Sequence, residues 1–146
     1  MIDLPQAEAD ALLAMAKRRK EKVAYRLPPH RGKLVVPLED LDGREAFLFD
    51  IARGGISLER RTYQTRARQI VILARLDYGP PHRNPDGEEI GSPHLHLYRE
   101  GFADKWASPV PAAHFPNIAD PWRTLFDFLT FCNVVELPEI ERDLLS

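Results

Sequence analysis

His94 and His96 alternate within the segment Pro93-His94-Leu95-His96-Leu97-Tyr98-Arg99-Glu100-Gly101. In an extended strand, side chains alternate between faces. His94, His96, Tyr98 and Glu100 therefore project one way, and Leu95 and Leu97 the other. Two imidazoles, a phenol and a carboxylate on one face could bind a metal, move protons or hold a polar ligand. The residue types alone leave all three open.

A metal reading takes His94, His96 and Glu100 as ligands, with His82 or Asp77 as a further donor. Two histidines and a carboxylate can hold Zn²⁺ or non-heme Fe²⁺. The spacing His-x-His-x3-Glu resembles, in part, the first cupin motif. The match spans only about fifteen residues and departs from the pattern. Gly87 lies one residue off the required position, Ala107 stands where a glycine is wanted, and His114 comes too early for a second motif. The single Cys132 excludes an intramolecular disulfide and a cysteine-based zinc cluster.

An acid–base reading takes His94, His96, Tyr98, Arg75 and Asp77 as the machinery of a metal-independent, RNase-like enzyme of the toxin type. Such chemistry needs a base, an acid and a cation for the pentavalent charge. Arg75 and Asp77 share a face of the preceding strand. They approach the histidines if the two strands pair antiparallel. Small bacterial toxin ribonucleases also set Arg, His and Tyr on an antiparallel sheet, which is an analogy of fold.

A third reading, the leading one, is a binding module for a protein or nucleic-acid partner, with no cofactor. Arg61, Tyr63, His82 and Arg83 join the surface in this reading, since Arg and Tyr often dominate interfaces. From Arg53 to Arg83 seven arginines stand against Glu59 and Asp77, a local surplus of +5, within a chain of net charge −2. That surplus could steer a polyanion. It is equally what the solvated face of a sheet carries. Trp106 reads either as core or as a platform for stacking a base. There is no glycine-rich phosphate loop, G-x-S-x-G elbow, H-E-x-x-H or C-x-x-C.

The elements that must position these residues follow from periodicity. A chain of 146 residues suits one domain and buries roughly 68–70% of its unfolded surface. Asp3 and Pro5 open a helix whose apolar stripe is Leu12, Leu13, Met15 and Ala16. Lys17-Arg18-Arg19-Lys20 would close it, where the macrodipole favours cations. Pro28-Pro29 breaks the chain. Five strand-like runs follow: Lys33–Leu38, Ala46–Ile51, Ile56–Thr65, Gln69–Tyr78 and Pro93–Arg99. The long link from Gly79 to Ser92 turns at Asn84-Pro85-Asp86-Gly87, and its His82–Asp86 part could act as a lid. Asp120-Pro121 starts a second helix with a stripe of Trp122, Leu125, Phe126, Leu129 and Cys132. Cys132 then reads as a small buried hydrophobe. The expectation is a single α+β domain over residues 1–146, an antiparallel sheet of about five strands flanked by an N-terminal and a C-terminal helix. No apolar run approaches the ~20 residues of a membrane span, and no signal peptide opens the chain, so a cytoplasmic protein is expected.

Tyr63-Gln64-x-Arg66-Ala67-Arg68-Gln69, His82-Arg83-Asn84-Pro85-Asp86-Gly87, Phe131-Cys132-Asn133 and the stretch from Pro93-His94-Leu95-His96 through Asp104-Lys105-Trp106 carry a further resemblance. Over nearly its full length the chain resembles a family of small uncharacterised bacterial proteins with a domain of unknown function. The resemblance implies an intact bacterial domain associated with mobile or prophage regions. It supplies no activity, cofactor or catalytic residue.

Overall fold

The computed structural model describes residues 3–55 and 60–143. Helix α1 (Gln6–Ala14) is followed by β1 (Lys17–Arg19), β2 (Ala24–Arg26), β3 (Lys33–Asp40), β4 (Ala46–Arg53), β5 (Arg61–Ala67) and β6 (Val71–Asp77). Then come β7 (His82–Arg83), β8 (Glu89–Ile90), β9 (His94–Leu97), β10 (Ala107–Pro109), α2 (Pro121–Phe131), β11 (Val134–Glu136) and β12 (Glu139–Glu141). The main sheet has eight strands in the order β10-β9-β6-β5-β4-β3-β1-β11, and β12-β2 and β7-β8 form two small sheets. Every pairing in the main sheet is antiparallel except β1 with β11.

Period-two alternation builds the core. Phe47, Phe49 and Ile51 of β4 point inward, and register aligns them with apolar neighbours. Phe49 faces Val36 and Ile51 faces Tyr63. Tyr63 then faces Leu76, and Leu76 faces Leu95. Phe128 of α2 lies on this stripe, with ring centroids 6.1 Å from Phe49 and 6.2 Å from Tyr63. Each such fully buried side chain stabilises the fold by about 1.5–3 kcal/mol. Helix α2 starts as its sequence indicates: the Asp120 carboxylate accepts from the Trp122 and Arg123 amides, and Pro121 occupies the first turn. It stops at Asn133, whose φ of 59° ends the helical path.

The expected α+β class holds, but two features of the architecture differ. The sheet is larger and mixed, because three short strands join the five runs. Lys17–Arg19 leaves the helix and pairs on both sides, antiparallel to β3 and parallel to β11. Ala107–Pro109 extends the opposite end against β9. Inter-strand hydrogen bonding thus overrides the helix-end pattern of the basic run. The helices also do not stand as a flanking pair. Ala9 and Leu12 of α1 and Leu125, Phe128 and Leu129 of α2 enter one core cluster. Helix α1 starts after Pro5 with no side-chain cap. Asp3 instead accepts from the Tyr98 hydroxyl and the Gly101 amide. The start of the expected Ile56–Thr65 strand, residues 56–59, lies outside the described residues. Among the described residues, no helix is long and apolar enough to cross a membrane.

One irregularity sets up the site. The β5–β6 register shifts between Thr65 and Arg66, with Arg66 opposite Ile72 but Thr65 opposite Ala74. Leu73 is the extra residue of a bulge. Before it, Val71 faces the core; after it, Ala74 and Leu76 do. Arg75 and Asp77 are thereby turned to the outer face, where strict alternation from Val71 would have pointed them inward.

Candidate metal centre

Strands β6 and β9 pair antiparallel with Arg75 opposite His96 and Asp77 opposite His94. Side chains directly opposite on one face lie about 4.5–5.5 Å apart at Cβ. The four polar side chains therefore form two adjacent rungs. His94 Nε2 lies 3.6 Å from Asp77 Oδ2. One ligand-capable atom from each of Asp77, His94 and His96 falls within 4.8 Å of the other two.

The loop expected to act as a lid lies over this pair. Its His82 ring sits 5.7 Å from that of His94 and 4.6 Å from that of His96, while the His94 and His96 rings are 4.9 Å apart. The loop is the hairpin β7–β8. Asn84 anchors it: its side-chain amide donates to the Ala107 carbonyl at 2.9 Å, and the Ala107 amide donates to its Oδ1 at 2.8 Å. Asn84 is itself buried. Beneath the hairpin His94 and His96 are each only 1% exposed.

Each of the three imidazoles has one ring nitrogen on a backbone carbonyl. His94 Nδ1 lies 3.2 Å from the Gly91 oxygen, His96 Nδ1 2.7 Å from the Asp104 oxygen, and His82 Nε2 2.8 Å from the Lys105 oxygen. A carbonyl oxygen only accepts, so these nitrogens carry the protons. In a neutral ring the other nitrogen, Nε2 of His94 and His96 or Nδ1 of His82, carries a lone pair. A backbone carbonyl fixing the far nitrogen is how metal-binding histidines are held. His94 Nε2 is buried and has no hydrogen-bond partner.

Electrostatics favour neutral rings. Burial lowers the pKa of His94, opposed by Asp77, and pushes that of His96 down to about 4, with Arg75 adding to the effect. Arg75 donates to the Asp104 carboxylate and lies 3.3 Å from His96 Nε2. Asp77 presents its two oxygens differently. Oδ1 accepts from the Gly79 amide at 2.7 Å, leaving Oδ2 toward His94. Gly79 must be small, since a Cβ there would meet Asp77 Oδ1 at 2.8 Å. With the histidines neutral, two carboxylates face one guanidinium, a balance that suits a cation. Arg75 and Asp77 also line a groove of about 600 Å³ on the outer face, shared with Asp50, Gln64 and Arg66.

The other sequence-derived candidates lie elsewhere. Strand β9 ends at Leu97, and the Tyr98 hydroxyl bonds the Leu4 amide and carbonyl and Asp3. Glu100 accepts from the Gln6 amide. Both residues fasten the N-terminal segment rather than extend the histidine face. Tyr63 is in the core with its hydroxyl donating to the Pro121 carbonyl, and Arg61 on the same face is buried. Arg83 stays exposed on the hairpin and pairs loosely with Glu89. Part of the arginine surplus is met by acids from other segments. Arg66 pairs with Asp50, Arg68 with Glu8 and Glu45, and Arg75 with Asp104. Trp106 packs under the Arg99 guanidinium, 4.1 Å from its carbon, and edge-on to Phe102. Asp104, Lys105, Asn84 and Gly79 enter the site without having been singled out for chemistry. Three of them act through backbone groups, which no side-chain pattern reveals.

No curated protein and no solved structure matches the chain. A family model described as "Family of unknown function (DUF6978)" matches residues 4–134. That match takes in the helix α1, all the residues of the histidine centre and the sheet that carries them, and the chain accordingly belongs to this family of unknown function.

Proposed function

We propose that this protein binds a divalent transition-metal ion through His94 Nε2, His96 Nε2 and Asp77 Oδ2. The observation that carries the reading is the buried, unpartnered His94 Nε2, 3.6 Å from a carboxylate oxygen. A buried polar atom without a partner is uncommon and calls for a physical reason. A bound cation supplies one. Tetrahedral Zn²⁺, with metal–nitrogen distances of about 2.0–2.1 Å, needs ligand atoms about 3.3 Å apart. Small side-chain rotations reach that spacing from the present one. Asp77 takes the carboxylate position that spacing alone had offered to Glu100. Arg75 must then release its contact with His96 while keeping Asp104.

This takes up the metal reading in place of the leading one, a binding module for a protein or nucleic-acid partner. A nucleic-acid partner draws little support from arginines already paired with carboxylates. The RNase-like reading meets two obstacles. His94 and His96 are covered, and a pKa near 4 leaves His96 neutral at pH 7 with its one proton held by the Asp104 carbonyl, a poor general acid.

Metal content decides the matter. Protein purified without chelator, then stripped and titrated with Zn²⁺ by calorimetry, should bind one ion per chain. His94→Ala and Asp77→Asn should each weaken binding at least a hundredfold. Absence of a stoichiometric site in the wild type would overturn the proposal.

A further inference from the structure

We infer that His82 is a third imidazole ligand, closing the centre to four protein donors and making the docking of the β7–β8 hairpin depend on the metal. The inference rests on the His94/His96/Asp77 reading and extends it to an element that spacing along β9 does not reach. Three observations carry it. His82 Nε2 is held by the Lys105 carbonyl, so Nδ1 is the free acceptor. The three rings form a triangle with centroid separations of 4.6, 4.9 and 5.7 Å; Asp77, His94 and His96 already hold ligand atoms within 4.8 Å of one another, and His82 joins them by turning its ring inward. Imidazoles bound to one tetrahedral ion at about 2.0–2.1 Å have centroids about 5 Å apart. The carbonyls of the adjacent residues Asp104 and Lys105 orient His96 and His82 respectively, so one short segment aligns both rings.

Four protein ligands leave no open position, the arrangement of a structural rather than a catalytic site. Three imidazoles and one carboxylate suit Zn²⁺ and disfavour Ca²⁺ or Mg²⁺, which take oxygen ligands. His94 and His96 come from β9 and Asp77 from β6, but His82 comes from the hairpin. The ion therefore ties the hairpin to the sheet. Without metal, the Asn84–Ala107 pair and the His82–Lys105 bond still tie the hairpin to the segment around β10.

Cobalt substitution tests this directly, because tetrahedral Co²⁺ absorbs strongly in the visible and six-coordinate Co²⁺ weakly. Wild-type protein with one equivalent of Co²⁺ should show the intense bands. His82→Ala, checked for folding by circular dichroism, should still bind one ion, at least tenfold more weakly and with the bands reduced. Trypsin cleavage after Arg83 supplies a second readout. Zn²⁺ should slow it at least tenfold in the wild type and leave it unchanged in His82→Ala. If His82→Ala matches the wild type in Co²⁺ affinity and spectrum, His82 is not a ligand and the inference fails while the three-residue site stands. If wild-type protein binds no Co²⁺ or Zn²⁺, both fail together.

Discussion

Lys17 and the histidine centre both bury ionisable nitrogen, and they treat it in opposite ways. At Lys17 the ammonium is fully buried, and its three donors reach the carbonyls of Leu13, Met15 and Cys132, each at 2.8 Å. It also sits 4.7 Å from the centre of the Phe47 ring. Burial pushes its pKa down to about 8, yet it remains mostly charged at neutral pH. Nothing is left over for a ligand; the charge gathers the ends of both helices onto β1. His94 and His96 are equally buried, but their ring protons are committed to carbonyls while His94 Nε2 has no partner and His96 Nε2 meets only Arg75. Saturated hydrogen bonding marks a joint in the scaffold. Unspent acceptor capacity in a buried cluster marks a place for something to bind.

The sharpest way to break this comparison is at Lys17. Lys17→Ala leaves three helix-end carbonyls without their donor, and hydrogen bonds to charged groups contribute about 1.5–3 kcal/mol each. Urea unfolding should register a loss of about 3–5 kcal/mol, the same with or without Zn²⁺. A loss below about 1 kcal/mol would show that the ammonium is no joint. At the histidine centre the effect should reverse in kind. At a hundredfold excess over the dissociation constant, Zn²⁺ should stabilise the wild type by about 2.7 kcal/mol. His94→Ala should keep a cooperative transition and lose the whole of that increment; an increment that survives the substitution contradicts the assignment.

Acid should separate the two regions as well. His96 in the folded protein has a pKa near 4 against 6.5 ordinarily, because burial and Arg75 disfavour its charge. The unfolded chain takes up the proton first as pH falls. Stability linked to His96 is therefore complete above pH 6.5 and lost progressively between 6.5 and 4, on the order of 2–3 kcal/mol. In metal-free protein His96→Asn should flatten that part of the profile, and an unchanged slope argues against a buried neutral ring.

Smaller effects sharpen the picture. Gly79→Ala forces the Asp77 carboxylate aside, so Zn²⁺ affinity should fall about tenfold, or about 1.4 kcal/mol, with little change in metal-free stability. Unaltered affinity would mean that Asp77 need not be aligned by the Gly79 amide. Far from either region, Gln69 holds a φ of 69° in the β5–β6 turn. Gln69→Gly should raise stability by less than about 1 kcal/mol without touching metal affinity. A drop in the denaturation midpoint would contradict the strain assigned to it.

Much of this was legible in the residues, for identifiable reasons. Asp120-Pro121 and the apolar stripe behind it specify α2 locally, and alternation in β4 marks its buried face without help from its neighbours. The rung of Arg75 and Asp77 against the histidines needs only antiparallel pairing. The strands β1, β10 and β11 are three residues long with no alternation to read; partners across the sheet define them. Tyr98 and Glu100 depart from the face because the strand stops at Leu97, before either is reached. Asn84 imitates a strand neighbour with its side chain, an interaction that exists only once β10 lies beside it. Gly91, Asp104 and Lys105 accept through carbonyls that every residue possesses.

The bulge at Leu73 has a consequence for how this segment tolerates change. Core and site are written on the same strand in two phases, and the extra residue is the point where one gives way to the other. Swapping Leu73 for another aliphatic residue preserves both phases. Deleting it would make Ile72 and Ala74 neighbours opposite the neighbours Arg66 and Thr65, removing the bulge and leaving Arg75 and Asp77 on the histidine face. One residue added between Leu73 and Arg75 would instead set Arg75 and Asp77 against the aromatic core.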